Sequence, residues 1–242
     1  MTECLFLAGA AGAIGRRLAP LLVADGWRVV GTTRSRAKAP MLRALGVEPA
    51  VIDVLDATAL RDAMVASRPA VVLHQLTDLP PGLDPARMAE ALPRNARLRD
   101  EGTRNLVAGA IAAGARRLVA QSVAFAYADG PRPHREADPL NVAADGAGGV
   151  SARGVASLER QVLAAPLAGI VLRYGRLYGP GTGFDSAAGA APLHVDAAAQ
   201  AARLAASCGA PGLYNVAEDD GTVSSDRAKR ELGWDAAWRV VT

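Results

Sequence analysis

The chain has 242 residues, 50% of them hydrophobic and 21% charged, with a formal net charge of +3 and a pI near 9.2. That length suits one folded domain with a modest appendage. Arginines and carboxylates are interleaved along the whole chain, so no basic block of the kind that binds nucleic acid stands out. Cys4 and Cys208 lie far apart and share no motif with a histidine, which argues against a disulfide framework or a zinc site; no metal is expected. No apolar stretch approaches the roughly 18 residues needed to cross a bilayer, and the first nine residues, with Glu3 and a short apolar run, do not read as a signal peptide. The expectation is a cytoplasmic protein without a membrane partner.

Apolar runs and helical patterns then alternate. Cys4–Ala8 is an unbroken apolar run, as in a strand covered on both faces. Apolar residues at helical spacing from Ile14 to Ala24 end at Gly26. Trp27–Thr32 reads as a strand and Arg36–Leu45 as a helix, Pro49–Ile52 as a strand and Thr58–Ala66 as a helix, and Ala70–Leu73 as a fourth strand. A long helical stretch from Pro85 to Ala113, broken near Pro93, precedes a fifth strand, Arg117–Gln121. A helix over Ala152–Ala164 and a strand over Ile170–Arg173 follow. Beyond Gly179 come an alanine-rich helix (Ala197–Ala206), a short strand (Gly212–Val216) and a helix (Ser224–Leu232). Repeated strand–helix units with buried strands predict an α/β, doubly wound parallel sheet, residues 1–178, with residues 179–242 as a small C-terminal cap that is not an independent unit.

Gly9-Ala10-Ala11-Gly12-Ala13-Ile14-Gly15 sits between the first strand and the first helix, where a phosphate-binding turn belongs. Glycines also mark plain strand-to-helix turns, but this position favours a nucleotide. Gly9, Ala11, Gly12, Ala13, Ile14 and Gly15 are the candidate cradle. The second strand runs into Thr33-Arg34-Ser35-Arg36 with Lys38 beyond, and no carboxylate stands ready for a ribose 2′-hydroxyl. Cations opening a helix oppose its dipole, so a bound 2′-phosphate accounts for Arg34 and Arg36 better than solvated side chains do. NADP(H) is therefore expected over NAD(H). Asp53, beside Val54 at the end of the third strand, could accept from an adenine amino group or cap the helix that follows, and Gln75, Leu76 and Thr77 after the fourth would line the nicotinamide side.

The G-x-x-G-x-x-G spacing resembles the short-chain dehydrogenase/reductase superfamily in its extended and atypical branches, and most of the chain looks like the NAD-dependent epimerase/dehydratase group. Glu101-Gly102-Thr103-Arg104-Asn105-Leu106, Gln121-Ser122-Val123-Ala124-Phe125-Ala126-Tyr127, Arg173-Tyr174-Gly175-Arg176-Leu177-Tyr178-Gly179-Pro180-Gly181 and Lys229-Arg230-Glu231-Leu232-Gly233-Trp234 carry that resemblance. It implies a Rossmann fold. One departure is central. The family's proton donor is a tyrosine four residues before a lysine, and counting back from Glu159 those positions are Ser151 and Val155; no tyrosine of this chain precedes a lysine by four. A tyrosine at its ordinary pKa near 10 is a poor base at neutral pH.

The resemblance puts Ser122 where the family's serine meets the reacting carbonyl, with Tyr127 as a substitute acid. It turns Tyr174, Arg176 and Tyr178 toward the substrate. His74 reads as a satisfied strand-end histidine and Arg153 as a helix-surface arginine beside the missing pair. Arg99 replaces the family's usual asparagine three residues before Gly102. Against the longer insertion that the resemblance implies for members handling nucleotide sugars, the short Ala/Gly segment from Phe184 to Leu193 argues for a small substrate, or for none. Two functions stay open: an oxidoreductase of the epimerase/dehydratase type acting on a small carbonyl or alcohol through a non-standard proton donor, and a non-catalytic NADP(H)-binding regulator or redox sensor. The family's helix pairing, with small residues such as Ala108, Ala112 and Ala156 here, implies a homodimer.

Overall fold

A computed structural model describes residues 2–240; Met1 and the last two residues of the C-terminal region lie outside them. Seven parallel strands form one sheet in the order β3-β2-β1-β4-β5-β6-β9. They are β1 (Cys4–Ala8), β2 (Arg28–Thr33), β3 (Glu48–Val51), β4 (Val71–His74), β5 (Arg117–Val123), β6 (Ala168–Tyr174) and β9 (Gly212–Val216). β1 is buried at every residue, and its side chains alternate between two cores. Leu5 and Leu7 join the core under α1 (Ala13–Ala24), α2 (Ala39–Ala44) and α7 (Val195–Ser207). Cys4, Phe6 and Ala8 join the core under α3 (Ala57–Ser67), α5 (Thr103–Ala112) and α6 (Gly146–Ala164). This is the doubly wound sheet expected, and its strand order reverses between β1 and β4, where such sheets open a crevice at the carboxyl ends of the strands.

Two glycines set that crevice. Gly9 holds φ +92°, and a Cβ there would lie 2.5 Å from the Gln75 carbonyl oxygen; a Cβ on Gly15 would lie 2.2 Å from the Gly9 oxygen. The turn therefore closes only with hydrogen at both positions, which lets α1 start directly against the ends of β1 and β4.

Several boundaries differ from the sequence reading, each for a local reason. The stretch after β2 is a 3₁₀ turn, Arg36–Lys38, before α2. α4 (Pro85–Arg97) runs through Pro93 without a break, and the pitch changes further on, in a π-helical turn over Leu98–Gly102 that leads into α5. That wide turn buries Leu98, Arg99 and Gly102 together. α6 starts six residues before Ala152. β7 (Arg176–Tyr178) and β8 (Pro192–His194) form a separate two-stranded parallel pair. Past Gly179, β9 becomes the edge of the main sheet beside β6, α7 packs against α1, and Trp234, after α8 (Asp226–Leu232), donates its indole N–H to the Ala197 carbonyl at 2.8 Å. Only the loop between β7 and β8, with that strand pair, lies over the crevice.

Gly31 on β2 packs so closely under the glycine turn and the segment before β3 that a Cβ would stand 2.6 Å from both the Ala10 Cβ and the Val47 Cγ1. Gly31→Ala is expected to lower stability by about 1–3 kcal/mol through overpacking, read from urea denaturation midpoints. A midpoint equal to the parent's would show that Ala10 and Val47 have room to move.

Candidate functional site

A cleft of about 1060 Å³ runs along the carboxyl ends of the strands. Its walls come from the glycine turn, from the segments after β2, β3, β4, β5 and β6, from the π-turn, and from the loop between β7 and β8. Gly9, Ala11, Gly12 and Ala13 line it, whereas Ile14 and Gly15 lie buried behind the turn; Gly15 serves through the close approach described above. α1 opens on Gly12 with no side-chain cap and no acidic residue in its first turn. Its first N–H groups are thus left for an external acceptor, with Arg16 beside them on the cleft wall. Thr32 Oγ1 accepts from the Gly9 N–H at 3.1 Å and ties the turn to β2.

At the end next to β2, Arg34, Ser35 and Lys38 line the cleft and Arg36 does not. Of the expected pair of guanidiniums only Arg34 lines the cleft, with the Lys38 ammonium beside it, and Arg36 stands exposed at the start of the 3₁₀ turn. Arg34 Nη2 lies 2.9 Å from Asp78 Oδ1, and Arg94 lies 3.4 Å from the same carboxylate. Asp53 and Val54 line the neighbouring wall, with Asp53 Oδ1 accepting from the Leu55 N–H at 3.0 Å. Gln75, Leu76 and Thr77 also line the cleft. Gln75 and Tyr174 lie near one another and present fully buried polar atoms (both ends of the amide, and the phenol oxygen) that have no well-formed hydrogen bond among the described residues. Unpaired buried groups of this kind are costly unless a ligand completes them. Together with an uncapped helix start and a glycine cradle, they fit a dinucleotide lying from the β2 end to the β6 end.

The far end of the cleft overturns part of the sequence reading. β5 alternates, so Gln121, Val123 and Phe125 line the cleft while Ser122 points to the opposite face. Ser122 Oγ donates to Glu159 Oε1 at 2.7 Å, and Arg173 grips the same carboxylate at both oxygens, at 2.8 and 2.7 Å. Arg173 also donates to Tyr127 at 2.8 Å, and Tyr127 donates to Asn215 Oδ1 at 2.6 Å while stacking on His134. Ser122 and Tyr127 are therefore members of a buried structural network, outside the cleft. Burial raises the Tyr127 pKa despite the nearby Arg173, which makes it a still weaker proton carrier. Tyr178 is likewise turned away, donating to Glu218 at 2.8 Å. Tyr174 and Arg176 do line the cleft, Arg176 with its guanidinium 4.6 Å above the Phe125 ring.

The positions of the missing pair are filled by other chemistry. Val155 is completely buried in an apolar cluster with Val123, Ala126 and Ala152. Ser151 accepts at Oγ, 3.0 Å away, from Arg99 Nη1, and Arg99 lines the cleft. Arg153 is spent on the carbonyls of Val142 and Ala144. His74 is satisfied on both nitrogens: Nδ1 accepts from the Leu76 N–H at 3.3 Å, which leaves Nε2 to donate to Thr103 Oγ1 at 3.1 Å. Burial, then the Arg99 charge, push its pKa down to about 4. Sequence reasoning passed over Arg16, Val123, Phe125 and Asp78; the period of two along β5 was the signal that separates Val123 from Ser122.

This fold and cleft define a nucleotide-binding protein of the short-chain dehydrogenase/reductase type. A protein-family profile described as NAD(P)H-binding matches residues 9–178, and the chain belongs to that family. It is 43% identical to a Streptomyces protein, 3-diazoavenalumate denitrifying reductase, over 89% of this chain and 76% of the relative. The fold is also that of UDP-glucose 4-epimerase from Thermotoga maritima (TM-score 0.78, 17% identity, 97% of this chain and 94% of that one). It is shared as well with the Bordetella bronchiseptica enzyme WbmG, solved with NAD (TM-score 0.74, 18% identity, 99% and 91%). Among the described residues no cluster of metal-ligating side chains is found, and no helix is long and apolar enough to cross a membrane.

Two tests follow from this geometry. Ser122→Ala and Tyr127→Phe should each cost about 1–3 kcal/mol of stability by leaving buried partners unpaired, yet should change the turnover of folded protein by less than about threefold. A loss of several hundredfold at unchanged melting temperature would return either residue to the chemistry. For His74 the folded pKa lies below the unfolded value near 6.5. Its contribution is therefore intact above about pH 6.5 and is lost as pH falls toward 4, by about 3 kcal/mol in total. His74→Asn should flatten that part of the acid limb in urea denaturation run at several pH values; an unchanged slope would refute the assignment.

Proposed function

We propose that this chain is an NADP(H)-dependent reductase of a small electrophile that needs a hydride from the cofactor and no proton from a side chain. The observation that carries this reading is that the position of the family's lysine holds Val155, fully buried behind Val123, the apolar side chain that lines the cleft there. Reducing a carbonyl requires a proton as well as a hydride, and the family's tyrosine–lysine pair supplies it by a lowered phenol pKa. Here the tyrosine on the cleft wall, Tyr174, has its pKa raised by burial, so it holds its proton tightly. Reduced nicotinamide, when bound, supplies the hydride.

The name of the Streptomyces relative, which describes the reductive removal of nitrogen from a diazo compound, supports a reaction of that balance. A carbon bearing a diazonium group that accepts a hydride forms a C–H bond and releases dinitrogen with the C–N bonding pair. Hydride and cation account for every atom, and no acid is called on. What the protein does in such a step is hold cofactor and acceptor in register and keep water out. Val123, backed by the buried Val155, supplies the dry surface, and Gln75 and Tyr174 supply directed polar contacts.

The preference for NADP(H) rests on Arg34, Ser35 and Lys38 at the β2 end, with no carboxylate closing that strand. A second reading, a nucleotide-binding regulator, draws on the same missing pair. Turnover separates the two. Diazotised aminobenzoate with NADPH should consume reduced nicotinamide and evolve dinitrogen, at least about a hundredfold faster than a panel of aldehydes and ketones. Tight NADPH binding with no consumption across both panels would leave the regulator, and equal rates on aldehydes would remove the argument from the missing acid. Arg34→Ala should weaken NADPH binding about tenfold or more while leaving NADH binding nearly unchanged, read by nicotinamide fluorescence.

A further inference from the structure

The cations on the cleft wall are not alike. Arg34 and Arg94 share Asp78, and Arg97 is paired with Glu101. Arg16 lies at the start of α1, where the cofactor's diphosphate is expected. Arg176 is exposed and lies over Phe125. Arg99 differs from all of these: it is 7% exposed, and no carboxylate pairs with it among the described residues. Glu159, whose charge reaches it, is already held by Arg173 and Ser122.

The side chain is built into place. The π-turn carries Arg99 inward, and its stem passes Gly154 on α6, where a Cβ would stand 3.2 Å from the Ala96 Cα and 3.5 Å from the Arg99 Cδ. Its Nη1 donates to both oxygens of Ser151, at 3.0 and 3.4 Å. Among the described residues Nε and Nη2 have no acceptor, and the side chain faces the cleft. A buried guanidinium without a counter-ion is unfavourable by itself and becomes favourable when an anion docks on it. Two exposed aromatic rings, Phe125 and Phe184, line the same cleft.

We propose that Arg99 is the anchor for an anionic group of the acceptor substrate, a carboxylate carried on a planar, conjugated skeleton that the phenylalanine rings cover. This rests on the reductase reading above and adds the substrate class. A neutral ribose hydroxyl would leave the Arg99 charge uncompensated, whereas a carboxylate neutralises it and takes both free donors side by side. Arg99 is a binding and positioning residue in this account, and the reacting carbon lies away from it along the skeleton.

The test uses unreactive probes. Cinnamate and its neutral amide, cinnamamide, are titrated calorimetrically into the protein with and without NADP+. In the parent protein cinnamate is expected to bind about tenfold to a hundredfold tighter than the amide. Arg99→Met should erase that preference and leave amide binding as it was, Arg99→Lys should restore part of it, and Arg176→Met should keep it. NADPH affinity should stay within about twofold in all three variants. Equal binding of acid and amide to the parent protein would overturn the proposal without any variant having to fold. So would an Arg99→Met protein that keeps the acid preference but loses NADPH, which would place the guanidinium on the cofactor ribose. A parent protein that discriminates acid from amide but binds no NADPH would sink the reductase reading and leave the anchor standing.

Discussion

The bidentate ion pair between Glu159 on α6 and Arg173 on β6 governs what the reacting end of this cleft can be. Both partners are almost fully buried, and between them they engage Ser122 on β5, Tyr127 in the loop that follows, and through Tyr127 Asn215 on β9. Breaking such a pair by removing one partner costs on the order of 3–5 kcal/mol, because the other charge is left buried alone. The groups that hold it complete are therefore not free to serve as acids or bases. Two side chains that look reactive in one dimension are committed to holding three strands and a helix together.

Much of the architecture was legible because its signals are local and repeated. Unbroken apolar runs such as Leu5-Phe6-Leu7 require cover on both faces, and the glycines between β1 and α1 permit only a tight turn against a neighbouring strand. The places that misled are those where packing overrode a local cue. Pro93 has a helix-breaking side chain, yet α4 passes through it, and the irregularity sits at Leu98–Gly102. β7 and β8 have three residues each, too few for an alternating pattern to show.

The candidates for the cofactor half lie in short contiguous segments, most of which line the cleft, whereas Ser122, Tyr127 and Tyr178 of the reacting half do not. A glycine turn and a strand end without a carboxylate are contiguous in sequence, so the spacing itself carries the geometry. The reacting half depends on which face of β5 each residue takes, and there a shift of one residue exchanges Ser122 for Val123. Arg99 stood out only as a departure from a family asparagine; that it meets Ser151 across 52 positions of chain could not be seen without the fold. The same holds for Gln75 and Tyr174, whose unpaired polar atoms become visible only once their surroundings are known to be closed.

The apolar cluster around Val155 resists the installation of a tyrosine–lysine pair. A lysine introduced there would have to extend among Val123, Ala126 and Ala152, and it would share Ser151 with the Arg99 guanidinium. Desolvation and like charge would both strip its proton, so the ammonium that a tyrosine base needs could not be supplied by Val155→Lys alone. Neither would a tyrosine at Ser151 alone help, since it would displace the contact that holds Arg99 in place. Each single substitution is unfavourable while the other is missing, so the pair could be installed only together and with its surroundings.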